Sequence, residues 1–562
     1  MNESYISHIS DNYYAYAVAK DTLRIRFKAC SEEISGVVVH YKNLYNHTDE
    51  FFIKEMDAIL CDGVYTLYEA EITLKERHFK YYFEIATNDG VWLYSADGIM
   101  EKIHESNCFY YPVINDDEVT KFPKWAEGGI IYQVITDRFF DGDKSNNPSG
   151  VKSAEELPDR NTYYGGDYKG IIEKLDYIKS LGANMIYISP AFDSPTYHKY
   201  DVRDYYKIEE IFGGKKGLKE LVAKAHEKGM KIILDAVFNH CSIENELFKD
   251  VIKKGKASKY ADWFIIDSFP VNTRNCNYDT FGGLVPSMPR FNTSNEEVIE
   301  YLTEAAVYWT KELKVDGWRL DVADEVSHSL WRVFRKKLKA AHTDVLLIGE
   351  VWNQALKWLW GDELDTVTNY KYRKWIMDFV SGVIDIDTLW NKLHSNKMLY
   401  RTPCYNFLIN LIGSHDTIRS ATLLDDDQLH TLTLVATLLL DGIPLIYYGD
   451  EIAMKGEEDP DNRRAMQWAC TKENATLEAV REVGELRRAS DVLKRGKTER
   501  LSCGERILAF TRELNGEKLT VIVNFGDERI KVKGNYKEMM AGEGLIAKDG
   551  ILIGGRKYAV AK

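Results

Sequence analysis

From residue 130 onward, short apolar runs alternate with amphipathic helical segments, and this rhythm constrains the fold more than any other feature of the chain. The runs are IIYQVIT, ANMIYISP, KIILDAVF, GWRLDV, VLLIGEV, DTVTNY, NFLINLIG and IPLIYYGDE. Between them lie segments such as GIIEKLDYIKSLG (170–182), where Ile171, Ile172, Leu175, Ile178 and Leu181 recur at helical spacing and Gly182 can end the helix. Eight strands with intervening helices predict an α/β protein built on a (β/α)8 TIM barrel. The barrel is expected over residues 123–489, with an aromatic-rich inserted B domain at about 241–296, after the third strand.

Both flanks have a different rhythm. Up to residue 122 the pattern is short and β-like (TLRIRFKA, SGVVVHY, VYTLYEAEI, KYYFEIAT, GVWLYS), which predicts an N-terminal β-sandwich. Over residues 490–562 the runs RILAFTREL, KLTVIVNF and ERIKVKG predict a C-terminal β-sandwich. The net charge of −14 argues against a protein that grips nucleic acid. No run of 18 apolar residues suggests a membrane span, and MNESYISHIS lacks the basic start and apolar core of a secretory signal. Eight scattered cysteines without a C-x-x-C pair read as reduced thiols, so a cytoplasmic location is expected. The 35 Tyr and 12 Trp suit sugar faces but also fill cores.

In a barrel of this kind, working residues gather at the C-terminal ends of the strands. Those ends carry Asp235, Asn239 and His240 in DAVFNH, Arg319 and Asp321 in GWRLDV, Glu350 in LIGEVW, and His415, Asp416 and Arg419 in LIGSHDTIR. A single Arg–Asp pair two residues apart reads most simply as a structural ion pair. Carboxylates from strands 4, 5 and 7 converging on one mouth, with two histidines and an arginine, point to chemistry instead. Such a set can pair a carboxylate kept ionised, as a nucleophile, with a carboxyl kept protonated, as an acid. Arg319 is expected to keep Asp321 ionised, and the apolar neighbours Val351 and Trp352 to raise the pKa of Glu350.

The motifs DAVFNH, GWRLDVADE, GEVW and GSHD, in this order, resemble those of the α-amylase superfamily, glycoside hydrolase family 13. SDNYYAYA, NYDTFGGLVPSMPRFNT, SPTYHKYDVRDY and DPDNRRAMQW resemble the branch containing neopullulanase, cyclomaltodextrinase and maltogenic amylase. The resemblance implies Asp321 as nucleophile, Glu350 as general acid and base, and Asp416 as transition-state stabiliser. It implies Tyr200, His240, Arg319 and His415 around the sugar being cleaved, and Asp459 and Arg463 on the next sugar outward. A surface salt bridge is the rival reading of that last pair.

It also implies a structural Ca²⁺ in DRFFDGDKSNNP, held by Asp141, Asp143, Asn146, Asn147, the Gly165 carbonyl and Asp167. Here Asp141 stands where the branch has Asn, and Asn147 where it has Asp; an Asx-rich turn is the alternative. Asp324 and Asn353 also depart from the branch, on the acceptor side. The expected function is a retaining α-glucan hydrolase acting on α-1,4, and potentially α-1,6, bonds of maltodextrins, cyclodextrins or pullulan, with some transglycosylation. The alternatives are an α-1,6-specific oligosaccharide glucosidase and a catalytically silent sugar-binding relative. A homodimer through the N-terminal domain is implied by the same branch.

Overall fold

The computed structural model describes residues 3–562 except 117 and 120. Eight parallel strands form the expected barrel: β1 (Ile131–Val134), β2 (Met185–Ile188), β3 (Lys231–Ala236), β4 (Gly317–Leu320), β5 (Leu346–Gly349), β6 (Thr366–Val367), β7 (Ile409–Leu411) and β8 (Ile443–Tyr447). Their order in the sheet is β6-β5-β4-β3-β2-β1-β8-β7, and a parallel bridge between Thr368 and Ile409 joins the two ends. All strands are buried along their length except at Lys231, as expected of a sheet wrapped by helices.

The helix after β3, Glu296–Leu313, shows how the local sequence sets the elements. Asn295 caps it by accepting from the Glu297 and Val298 amides, and Glu296 and Glu297 face the positive end of the helix dipole. Its inner face buries Val298, Leu302, Ala305, Ala306, Trp309 and Leu313, and Lys314, in the left-handed region at φ 60°, ends it. The helix expected over 170–182 is instead two short ones, Tyr168–Glu173 and Leu175–Ser180, which meet at Lys174. There the Lys174 amide bonds to the Ile171 and Ile172 carbonyls, so the turn tightens and the register resets. Between β5 and β6 the connection carries only the 3₁₀ turn Leu356–Leu359.

The inserted segment after β3 contains the helix Glu246–Lys254 and a small hairpin, Thr280–Phe281 with Val285–Pro289. Beyond the barrel, a five-stranded and a three-stranded antiparallel sheet pack around Ile507, Ala509, Ile522, Val532, Ile551 and Ile553.

The N-terminal strands form two antiparallel sheets around Leu23, Ile25, Phe27, Val39, Tyr81, Phe83 and Ile85, a β-sandwich as expected. This compact unit, Met1–Phe122, also takes in Leu356–Asp362 and Asp387–Tyr405, which the sequence pattern assigns to the barrel. The reason is polar: buried Arg26 pairs with Glu69 and donates to the Tyr400 carbonyl and to Thr402, and His394 bonds to the Cys61 carbonyl. The barrel and the C-terminal sheets make up the second unit. Among the described residues no helix is long and apolar enough to cross a membrane. Among the described residues the cysteines form no disulfide, and Cys61, Cys276 and Cys470 are exposed.

Candidate active site

The barrel register builds the site in tiers. Asp235 on β3 lies directly beside Arg319 on β4, and the chain continues past β4 and β5 to Asp321 and Glu350. Side chains two apart on a strand share a face, so Arg319 and Asp321 both point into the barrel mouth. Arg319 Nη1 lies 3.1 Å from both Asp235 oxygens and 2.7 Å from Asp321 Oδ1, while Nη2 lies 2.7 Å from Glu350 Oε2. One guanidinium therefore serves three carboxyl groups.

Val322, immediately after Asp321, holds φ 43°, a left-handed conformation that β-branched residues rarely adopt. The turn aims the Val322 amide at Glu350 Oε2, 2.9 Å away, so backbone strain sits where a donor is directed at the site. The Trp352 indole donates to Glu350 Oε1 at 3.1 Å. Asp416, after β7, pairs with Arg463 Nη2 at 3.1 Å and His415 Nε2 at 3.0 Å. Tyr200 lies parallel to the His415 ring, centroids 5.3 Å apart, and its hydroxyl is 3.0 Å from Asp235 Oδ2 and 2.6 Å from His415 Nε2. His240 Nε2 donates to the Tyr200 carbonyl at 3.1 Å, and its buried Nδ1 has no partner.

Asp459 is bound by Arg463 Nη1 at 3.1 Å and Tyr197 hydroxyl at 3.3 Å. Arg463 is buried and reaches Asp416 as well, so this pair belongs to the mouth rather than to an isolated surface bridge. The structure thus brings Tyr200, His240, Arg319, Asp321, Glu350, His415, Asp416, Asp459 and Arg463 into one connected set.

The electrostatics differ from expectation in one respect. Arg319 does pull Asp321 toward the ionised form. Burial outweighs it, however, and Glu350 and Asp235 add to the upward push, so the Asp321 carboxyl stands well above the ordinary aspartate range. Burial also raises Glu350, with Asp416 adding to the effect and Arg319 opposing it. Five carboxyls, those of Asp235, Asp321, Glu350, Asp416 and Asp459, share the two guanidinium groups of Arg319 and Arg463. Asp416 goes the other way: His415, Arg463 and Arg319 overcome its burial and hold it well below the usual range. Burial lowers His240 to about 3, so it is a neutral imidazole.

Three further groups have roles that the sequence does not assign: Asp235 and Arg419, which it places only at strand ends, and Asn462. Asp235 is the third carboxyl on Arg319. Asn462, fully buried, donates to the carbonyls of His415 and Thr417, tying the Asp459–Arg463 loop to the loop of Asp416. Arg419, also fully buried, donates to the Asn462 and Tyr448 carbonyls and pairs with Asp450. The Asn462 and Arg419 links join positions far apart in sequence, which no local motif reveals.

The loop after β1 has the chemistry of a cation site. Asp141 Oδ1, Asn146 Oδ1 and Asn147 Oδ1 are buried without a hydrogen-bond partner. Gly165 lies so close to this loop that a Cβ there would stand 2.5 Å from Asn147 Oδ1. Buried oxygens gathered this way are unfavourable unless water or a hard cation satisfies them. Asp167 is more occupied: it accepts from the Gly142, Asp143 and Gly170 amides and the Asn146 side chain. Asp143 accepts from Ser145. Among the described residues no group of three or more His, Cys, Asp or Glu side chains is disposed to hold a metal, so carboxylates alone do not make up a site here.

The family model described as "Alpha amylase, catalytic domain" matches residues 133–491, and that described as "Alpha amylase, N-terminal ig-like domain" matches residues 1–115. The chain is 40% identical to a cyclomaltodextrinase of Thermoanaerobacter pseudethanolicus over 92% of each protein. It is 37% identical to neopullulanase 2 of Thermoactinomyces vulgaris, over 93% of this chain and 91% of that protein. A solved cyclomaltodextrinase structure superposes with a TM-score of 0.93 at 32% identity, covering 100% of both chains.

Proposed function

The chain belongs to the α-amylase family of glycoside hydrolases, and on that premise we propose that it is a retaining hydrolase of α-glucosidic bonds in maltodextrins, cyclodextrins or pullulan, with some transglycosylation. The observation that carries this reading is the single Arg319 guanidinium, 2.7 Å from both Asp321 and Glu350 on neighbouring strands. Two carboxyls held on one guanidinium stand close together, as a nucleophile and an acid must in double displacement. Asp321 attacks the anomeric carbon while Glu350 protonates the leaving oxygen. Glu350 then takes a proton from the water or sugar hydroxyl that releases the glycosyl group.

Asp416, ionised, and the excess of carboxyl over guanidinium groups favour the positive charge that develops on the sugar ring. His240 and His415 hydrogen-bond its hydroxyls, Tyr200 stacks beneath it, and Asp459 and Arg463 hold the next sugar. The test is a product profile on cyclodextrin, pullulan, starch, panose and isomaltose, with the first reducing end followed by NMR before mutarotation. The α-anomer from cyclodextrin or pullulan supports the reading. A β-anomer, or cleavage confined to isomaltose and panose, defeats it, and no reducing sugar from any substrate returns the chain to a sugar-binding role.

Three further properties belong to the proposal. A structural Ca²⁺ is held by Asp141, Asp143, Asn146, Asn147, the Gly165 carbonyl and Asp167; the orphaned oxygens of this loop support it. The ion would brace the loop and take no part in bond cleavage. The protein works inside the cell, which its free thiols favour. It assembles as a homodimer through the N-terminal domain.

A further inference from the structure

We propose that Trp352 is a positioning residue for Glu350: its indole N–H holds the carboxyl turned toward Arg319. The inference rests on the reading of Glu350 as acid and base. The sequence presents Trp352 as an apolar wall, but the structure turns its polar edge to the carboxyl, Nε1 donating to Oε1 at 3.1 Å. The ring is fixed from behind. It lies face to face with Tyr370, centroids 3.8 Å apart and planes 5° apart, and the Tyr370 hydroxyl lies 3.3 Å from Ser414 Oγ. Ser414 Oγ in turn accepts the Asp416 amide at 3.2 Å. An aromatic pillar therefore links the loops that carry Glu350 and Asp416.

The indole itself remains 41% exposed, so one side is braced and the other is open to a sugar.

The charged and titratable groups facing Glu350 are Arg319 from β4, Asp321 just beyond it, His415 and Asp416 from the loop after β7, and Tyr370 from the helix Tyr370–Val380. Against these, Glu350 receives three donors: Arg319 and the Val322 amide on Oε2, and Trp352 on Oε1. Each favours the ionised carboxylate. Trp352 is the neutral side chain among them, so removing its N–H leaves the charge count of the site unchanged. The acid then keeps its proton to higher pH.

The experiment compares pH profiles of kcat/KM for maltotriose and α-maltosyl fluoride. The proteins are the wild type, Trp352→Phe, and a chain carrying 3-benzothienylalanine at position 352, which keeps the bicyclic ring without the N–H. On maltotriose both replacements are expected to move the alkaline limb up by about half to one pH unit. On the fluoride, whose leaving group needs no proton, loss of the Glu350 proton costs little, so neither replacement should shift the high-pH side of the profile. An alkaline limb that is unmoved or lowered with benzothienylalanine, or an equal shift on both substrates, overturns the proposal. Glu350→Gln with near-wild-type turnover of maltotriose would remove the acid assignment itself, an outcome distinct from an unmoved limb.

Discussion

Asp321 and Glu350 draw on the same guanidinium, and double displacement needs Asp321 ionised while Glu350 is protonated. Asp321→Asn is close to isosteric but cannot attack, so kcat on maltotriose should fall about 10⁴-fold or more with little change in melting temperature. Near-wild-type kcat would mean that another group is the nucleophile. For the wild type, kcat/KM should trace a bell whose two limbs belong to the coupled pair. The acid limb reports loss of the ionised nucleophile as pH falls. The alkaline limb reports loss of the Glu350 proton, and because Glu350 is raised it should lie above the ordinary glutamate range. Asp416 contributes to that rise through its negative charge. Asp416→Asn should therefore lower kcat and also shift the alkaline limb to lower pH. A limb moving upward in this variant would contradict the charge arrangement around Glu350.

At the scale of elements, the loop 141–147 and the helix Asp427–Leu439 each concentrate one kind of stress. The loop gathers oxygens without donors, so removing calcium should lower Tm while changing kcat much less; ligand binding to the folded state alone stabilises by mass action. An unchanged Tm after chelation, with no calcium by elemental analysis, would count against a bound ion. The helix carries His430, fully buried, 2.9 Å from Ser420 Oγ and 2.6 Å from the Asp450 carbonyl. Burial lowers it to about 4 from the ordinary 6.5. Its folded value is depressed, so the unfolded chain binds the extra proton between these limits. The stability linked to His430 is then complete above about pH 6.5 and lost as pH falls toward 4, at up to about 1.4 kcal/mol per pH unit. His430→Asn should be less stable at neutral pH yet lose less stability on acidification across this window. Parallel loss in both proteins, measured by urea unfolding at pH 7 and pH 5, would show that His430 does not carry it.

For the molecule as a whole, the N-terminal unit matters because it is more than an appended sandwich. It includes Asp387–Tyr405, held by Arg26, so a truncation at residue 122 would strip a helix of its partners as well as removing strands. Assembly is better tested on the full chain. Light scattering at micromolar concentration should report two chains per particle, with a two-fold interface burying more than about 1,200 Å². Cyclodextrin should be hydrolysed faster than starch. A monomer with starch as the better substrate would defeat both expectations.

The sequence by itself determined the barrel, both flanking β-domains and the residues at the strand ends, because strand and helix periodicities are local and a parallel barrel places functional groups by rule. DAVFNH, GWRLDV, GEVW and GSHD each announce a strand end without any knowledge of their neighbours. Tertiary structure alone decided how those ends interact. Asp235 shares Arg319 because β3 and β4 are in register, and Asp321 is pushed up rather than down because its burial, with Glu350 and Asp235 beside it, outweighs the pull of Arg319. Trp352 turns its N–H toward Glu350 because Tyr370, from the helix after β6, supplies the surface on which the ring rests. Asp387–Tyr405 joins the N-terminal unit through a buried arginine nearly four hundred residues away in sequence. Charge sums, ring contacts and long-range polar pairs depend on distances in space, and a one-dimensional pattern carries none of those distances.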